Sequence, residues 1–390
     1  MLQNILLERK IYASEEHKMM QAMIQEFIAN EIVDQIDEWE KNGMVSREIW
    51  KRAGELGLLC LDMPEQYGGA GLDFTFNALF IEELAKKGIS GPGFSLHSDI
   101  VAPYILKYGT EAQKQKYLPL MAKGEFITAI GMTEPNCGSD LQALRTTAED
   151  KGDHYLVNGQ KTFITNGFMC DMAIVAVKTN PKTENEGVTL LIMESSMEGF
   201  NKGIPFKKIG MKSQDTAELF FDNVKVPKEN RLGDEKMGFK IMMKELARER
   251  LTVGIYAVAG AEGAIENTVA YTTQRTAFKT PIAGFQNTQF KLAECASQMQ
   301  IHQAFLDRCI ELMTEDKLTT ESASMIKYSA TDMCCKVVDE CLQLFGGYGY
   351  MWDYPIARMY ADNRVARIYA GTNEIMKILI ARGLLKDILK

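Results

Sequence analysis

The chain has 390 residues, 46% of them apolar, a net charge of −8 and a pI near 5.3. That length supports two or three domains with substantial cores, and the acidic balance argues against an open nucleic-acid surface. The eight cysteines show no zinc-ligand spacing and no apolar run approaches a membrane span, so reduced thiols, no metal, no leader, no integral membrane segment and a cytoplasmic location are expected.

From 15 to 39, Met19, Met20, Met23, Ile24, Phe27, Ile28, Ile32 and Ile36 recur at helical period, which predicts an amphipathic helix. The segments 47–59, 74–87, 98–108 and 111–123 repeat the pattern. Residues 1–124 therefore read as an α-helical domain. The 23 methionines read as adaptable core filler.

Near Gly124 the character changes. A short β-rich run at 126–132 ends in a Pro- and Gly-containing loop, 133–140. The segment 154–160 holds Asn158-Gly159, read as a hairpin turn, with strand resuming at 162–165. Further strands are expected at 173–178, 188–193, 217–221 and 224–226, and an exposed loop at 181–187. Residues 125–235 thus read as a small antiparallel β barrel or sandwich. From 236 to 390 four long helices (239–273, 287–314, 321–345 and 373–388) predict a four-helix bundle. The fold class is mainly α with a small β domain in the middle.

In this order of domains the sequence resembles the acyl-CoA dehydrogenase family. The resemblance rests on Met132-Thr133-Glu134-Pro135 with Gly138-Ser139-Asp140, Phe163-Ile164-Thr165-Asn166-Gly167 and Gly210-Met211 through Asp215-Thr216-Ala217-Glu218. Further markers are Arg275 with Phe278 and Gln286, Gln343 with Gly346-Gly347, and Gly371-Thr372. They occur in family order over nearly the whole chain. The match is nearest to the long-chain subgroup, with isovaleryl- and citronellyl-CoA dehydrogenases close by.

The resemblance implies FAD as cofactor, an acyl-CoA substrate, electron-transfer flavoprotein as acceptor and a homotetramer. It assigns the flavin pyrimidine edge to the backbone around Ile130, Met132 and Thr133, the ring face to Phe163, and a contact near N5 to Thr165. Arg275, Phe278, Gln286, Gln343, Gly346 and Gly347 are expected to reach a neighbouring subunit's cofactor. Thr372 and Glu374 open the last helix near the flavin, and Ser139 meets the pantetheine part of the substrate. Lys279 stands where the family usually has glycine, which changes the local turn or adds charge near the cofactor.

The chemistry implied is loss of a proton and a hydride from adjacent saturated carbons. A weakly acidic α-hydrogen requires a placed carboxylate and a polarised thioester carbonyl together. Many relatives carry Glu just before the Gly-Thr turn, where this chain has Ala370. The long-chain and isovaleryl subgroups place the base on a helix, in the position filled here by Glu249. Glu249 is therefore the expected base, with Arg250 beside it, and the Ala370 backbone N–H and Gly371 at the carbonyl. Glu245, one turn earlier, reads as structural or surface, and the bland alternative for Glu249 is a salt bridge to Arg248 or Arg250. Acyl length depends on how 89–103 closes the pocket. Two rivals stand beside this reading. One is an acyl-carrier-protein thioester dehydrogenase or oxidase; the other is a non-catalytic binding paralogue, including a DNA-associated one.

Overall fold

The structure is a computed structural model and describes residues 5–179, 187–386 and 388. The loop expected at 181–187 lies, apart from Gly187, outside the described residues.

The first part is helical: α1 (Glu15–Phe27), α2 (Ile36–Asn42), α3 (Arg47–Glu55), α4 (Phe74–Lys86), α5 (Ala102–Tyr108) and α6 (Glu111–Ala122). The stripe expected as one helix over 15–39 is helical throughout, but a π-helical turn at Ile28–Ile32 and a 3-10 turn at Val33–Gln35 separate α1 from α2. Local chemistry sets the starts. Ser14 caps α1 by accepting from the His17 N–H, and Thr110 and Gln113 form a reciprocal capping box on α6. Every residue of α4 from Phe74 to Ala85 is buried, including Asn77, Glu82 and Glu83, whose side chains are paired with Asp99, with Arg9 and Tyr12, and with Gln21 and Gln25, so this helix crosses the interior.

The middle part is an eight-stranded sheet of β1 (Thr128–Gly131), β2 (Thr147–Asp150), β3 (His154–Thr165), β4 (Met172–Lys178), β5 (Val188–Glu194), β6 (Phe200–Lys202), β7 (Thr216–Pro227) and β8 (Arg231–Leu232). Its order is β6-β7-β3-β2-β4-β5-β8, with β1 beside β4, so the sheet does not close into a barrel. It is also mixed, since β4 pairs with β1 and β2 in parallel.

The hairpin turn expected at Asn158-Gly159 is corrected: both residues lie inside β3, at a bulge opposite β7. A Cβ on Gly159 would lie 2.7 Å from Thr146, and its φ is +144°, so glycine is required there by close packing rather than by chain reversal. Side chains alternate along β4 and β5. Met172, Ile174, Ala176, Leu190 and Ile192 join the core of the helical domain, while Ala173, Val175, Val177, Leu191 and Met193 form a second core with β3 and β7.

The last part contains the expected four long helices: α7 (Gly238–Gln274), α8 (Gln286–Thr314), α9 (Thr320–Phe345) and α11 (Asn373–Leu384). It also has a shorter α10 (Pro355–Asn363) that the reading of four segments omitted. A two-residue hairpin, β9 (Thr276–Ala277) and β10 (Thr280–Pro281), joins α7 to α8. Leu251, Ile255, Val258 and Ile265 of α7 pack with Cys309 and Ile310 of α8 and with Ile326 and Val337 of α9. Helix α4 is clamped to α7 at Gly263, where a Cβ would lie 2.0 Å from the Lys86 carbonyl oxygen. That contact fixes α7 against the first domain and so sets where its residues 243–253 point.

Candidate active site

A cavity of about 710 Å³ opens where the three parts meet. Of the site residues expected from sequence, Ile130, Met132, Thr133, Ser139, Phe163, Thr165, Glu249, Arg250, Ala370 and Gly371 all line it.

Glu249 is 7% exposed. Its one hydrogen bond among the described residues comes from the Tyr104 hydroxyl, which donates to Oε1 at 3.0 Å. Burial pushes its carboxyl up to about 7; the Tyr104 hydrogen bond and the Arg250 charge oppose the rise, and Glu245 adds to it. The salt-bridge alternative does not hold among the described residues. Arg248 turns to Asp62, 2.7 Å away, and to the Asp99 carbonyl oxygen. Arg250 is 4% exposed, and its Nε is buried with no partner. Glu245 has a different fate one turn away. It accepts from Lys107 at 2.8 Å and from the Tyr108 hydroxyl at 2.6 Å, which makes it a buried structural carboxylate rather than a surface one.

The Ala370-Gly371 turn forms the opposite wall. Both residues have positive φ, +52° and +85°, and for alanine that conformation costs roughly 1 kcal/mol. The Ala370 N–H has no acceptor among the described residues. Behind the turn lies Lys327, fully buried, whose Nζ donates to the Gly371 carbonyl at 2.7 Å and to Asn373 Oδ1 at 3.0 Å. Burial and then the Arg250 charge bring the Lys327 ammonium down to about 8. This end of the cavity therefore carries two buried cations, Arg250 and Lys327, an unpaired N–H donor and a carboxyl poised near neutrality. Such a set can take up a carbon-bound proton and steady the negative charge left behind.

A third wall is built by the bulge in β3. Between Lys161 and Ile164 the register with β7 shifts, and Phe163 adopts φ +58° with 68% of its surface exposed. A bulge re-aims a side chain out of the sheet. Here it leaves an aromatic face bare beside the cavity, which suits a flat aromatic group. The loop at 133–140 is held against this bulge by a buried ion pair, Lys161 Nζ to Glu134 Oε1 at 2.8 Å. Glu134 also accepts from the Arg145 and Thr146 N–H groups at 2.6 and 2.9 Å.

The remaining expected residues lie elsewhere. Arg275, Gln343, Gly346 and Gly347 line a separate concavity of about 700 Å³ with Tyr348, whose ring is 5.5 Å from the Arg275 guanidinium. Phe278, 92% exposed, stands at the tip of the β9–β10 hairpin, and Gln286 begins α8. Phe278 and Lys279 both have positive φ, +51° and +64°, so Lys279 holds a left-handed conformation that glycine adopts more readily. Thr372 caps α11, accepting from the Ile375 N–H at 3.4 Å, and Glu374 is exposed in its first turn. Neither lines the main cavity. Sequence reasoning missed Tyr104 and Lys327, because a lone tyrosine or lysine on an apolar helical face carries no motif.

Comparison with known proteins identifies the architecture. Residues 14–125, 129–224 and 236–385 match the N-terminal, middle and C-terminal domains of acyl-CoA dehydrogenase. The chain is 46% identical over 381 residues to the mitochondrial long-chain specific acyl-CoA dehydrogenase of Mus musculus, covering 97% of this chain and 88% of that protein. The crystal structure of an acyl-CoA dehydrogenase from Geobacillus kaustophilus superposes with TM-score 0.94 at 48% identity, covering 96% of this chain and 99% of that one. A chain in the solved structure of the electron transferring flavoprotein of Acidaminococcus fermentans superposes with TM-score 0.93 at 38% identity, covering 96% and 99%. This chain therefore belongs to the acyl-CoA dehydrogenase family, the FAD-dependent oxidoreductases that dehydrogenate acyl-CoA thioesters.

Proposed function

We propose that this protein converts an acyl-CoA to its trans-2-enoyl form with Glu249 as the general base. The observation that carries this is the placement of Glu249. It is buried and unpaired with either neighbouring arginine, and it lines the same cavity as the free Ala370 N–H. The α-proton passes to a Glu249 oxygen while the Ala370 N–H receives the thioester oxygen as charge builds on it. Arg250 and Lys327 favour that charge through space. Exclusion of water by Leu246, Val253 and Tyr256 along the cavity strengthens each of these interactions.

FAD, when bound, supplies the hydride acceptor. The residues present fit it: Phe163 offers a bare aromatic face, and the Ile130, Met132 and Thr133 segment and Thr165 border the same space. Gly346 and Gly347 fit a cofactor in a different way. A Cβ at either would meet nothing within 4 Å in this chain, so the space beside them is open to a group from outside it. In our reading, Arg275, Phe278, Gln286, Gln343 and these glycines meet the cofactor of a neighbouring copy in a homotetramer, and Thr372 and Glu374 approach it from the start of α11. Ser139, on the loop fixed by Lys161 and Glu134, meets the pantetheine arm. Electron-transfer flavoprotein as acceptor and a cytoplasmic location complete the reading, the former supported by the likeness to the Acidaminococcus fermentans structure.

The test is anaerobic titration of the yellow protein with acyl-CoAs of graded length and branching, beside acyl-carrier-protein thioesters. Bleaching of the flavin by acyl-CoAs is the expected result. Bleaching by carrier-protein thioesters alone would replace the CoA reading, and a protein that binds no FAD would overturn it.

A further inference from the structure

Two loops share a wall of the main cavity and are held from outside it. Ser90 lines the cavity from the loop that follows α4, and Met211 and Gln214 line it from the segment between β6 and β7. The two loops nest because glycine occupies their contacts. A Cβ on Gly91 would lie 2.5 Å from Ser213 Oγ, and one on Gly210 would collide with the Ala361 carbonyl group.

Behind them stands Asp362, in the last turn of α10, 3% exposed and outside the cavity lining. One of its oxygens accepts from the Ser90 hydroxyl at 2.6 Å, and the other accepts from the Met211 N–H. Met211 has φ +48°, a left-handed conformation that is unfavourable for methionine and persists only where its surroundings hold it. Next along the chain, Lys212 Nζ lies 3.4 Å from the centre of the Trp352 ring. The helix that carries Asp362 is itself anchored. Arg358 binds Glu40 at 2.7 Å, Trp352 Nε1 donates to the same carboxylate at 2.6 Å, and Ile356 and Met359 sit in the core of the last part. One carboxylate thus ties both loops to a fixed helix.

This clamp lies far from the chemistry. A Cβ on Gly260 would lie 3.2 Å from Oδ1 of Asn363, the neighbour of Asp362. Gly260 follows Glu249 on α7 by eleven positions, a rise of roughly 16 Å. The clamped wall therefore meets the far part of an acyl chain rather than its reacting carbons. Resting on the reading of this cavity as an acyl-CoA site, we propose that Asp362 is a positioning residue that sets the acyl-length preference by holding Ser90 and Met211 in place. A wall that cannot retreat packs a chain that just reaches it and refuses one that overruns it. Loosened loops do neither. The hydrogen bonds matter here, not the charge: an amide at 362 keeps both, its oxygen accepting from the Met211 N–H and its nitrogen donating to Ser90 Oγ.

The test uses the FAD-loaded enzyme with even-numbered straight-chain acyl-CoAs from butanoyl to eicosanoyl. Calorimetric binding of the matching 2-enoyl products gives a readout independent of turnover. In Asp362→Ala the ratio of kcat/KM between the best chain and the chain two carbons longer should fall about tenfold. The change should come mainly through KM, with a matching change in product affinity, while butanoyl-CoA, which ends short of the wall, is little affected. Asp362→Asn should restore most of the preference. If Asp362→Ala does not fold, Ser90→Ala, which removes one arm of the clamp, should still reduce the preference severalfold. A length profile of unchanged shape in the variant that folds, or a loss of rate or thermal stability uniform across chain lengths, would overturn the inference and leave Asp362 a packing residue. In that outcome the flavin still bleaches with acyl-CoAs, whereas no bleaching by any acyl-CoA would count against the proposed function itself.

Discussion

The two concavities of this chain differ in how far one copy completes them. The main cavity draws its walls from all three parts of the fold and closes over a carboxyl, a free N–H donor and two buried cations. The second has a cation, Arg275, two glycines with nothing near them and a hairpin tip that leaves Phe278 bare. It has recognition groups and no enclosure. On the function proposed above, the contrast would make the chemistry a property of one chain and retention of the cofactor a property of an assembly of copies. The experiments that follow either sharpen that division or break it.

The largest effect is expected from Glu249→Gln. It keeps the shape of the cavity and removes the base, so turnover should fall by about 10²–10⁴-fold with flavin content unchanged by absorbance. Turnover within a few-fold of the parent would reassign the proton to another group.

Lys327→Met comes next. It frees the Gly371 carbonyl and removes a buried charge behind the carbonyl site, and kcat/KM should fall roughly 10–100-fold. The loss should appear in kcat more than in KM, since the charge favoured by Lys327 develops during reaction. A loss confined to thermal stability would make Lys327 a packing residue only.

Arg275→Ala addresses the other region. FAD affinity, measured by release on dilution, should weaken about tenfold, while the pH profile of the remaining loaded enzyme stays where it was. A moved pH profile would mean that the two concavities are not separate.

Tyr104→Phe should act on pH rather than on maximal rate. The Tyr104 hydroxyl favours the ionised form of Glu249, so its loss raises the carboxyl further. A base works only when ionised, so on the proposed reading activity should rise with pH through about 7 in the parent. In the variant that limb should move to higher pH, with activity nearly restored at high pH. The smallest effect is that of Lys279→Gly at the hairpin tip, where φ is +64°; relief of the left-handed conformation should add about 1 kcal/mol to stability in thermal denaturation.

Much of this architecture could be read from residue periodicity. The stripe along 15–39 marks a helix because burial follows the 3.6-residue repeat, and Ile24, Phe27, Ile28 and Ile32 form its buried side. The Asn158-Gly159 pair misled for a physical reason. Asn-Gly between β-rich runs is a strong hairpin signal, but here β7 pairs with β3 on both sides of it and glycine serves a close approach to Thr146. Helix α10, nine residues opening at Pro355 just after the Gly-rich turn 346–350, was not among the segments read as helical.

At the site, Glu249 and Ala370 were legible through family motifs, and the cavity brings them together. Tyr104 and Lys327 were not. Their significance lies in which atoms remain unpaired or which backbone group they hold, and only three-dimensional packing decides that.

The most direct measurement is the exchange of a bound acyl-CoA's α-hydrogens with deuterium from solvent, followed by NMR in the wild-type protein and in Glu249→Gln. It reports proton removal from carbon apart from hydride transfer. Exchange in the wild type that rises with pH through about 7, and its loss in the variant, is the predicted result. Equal exchange in both proteins would contradict Glu249 as the base.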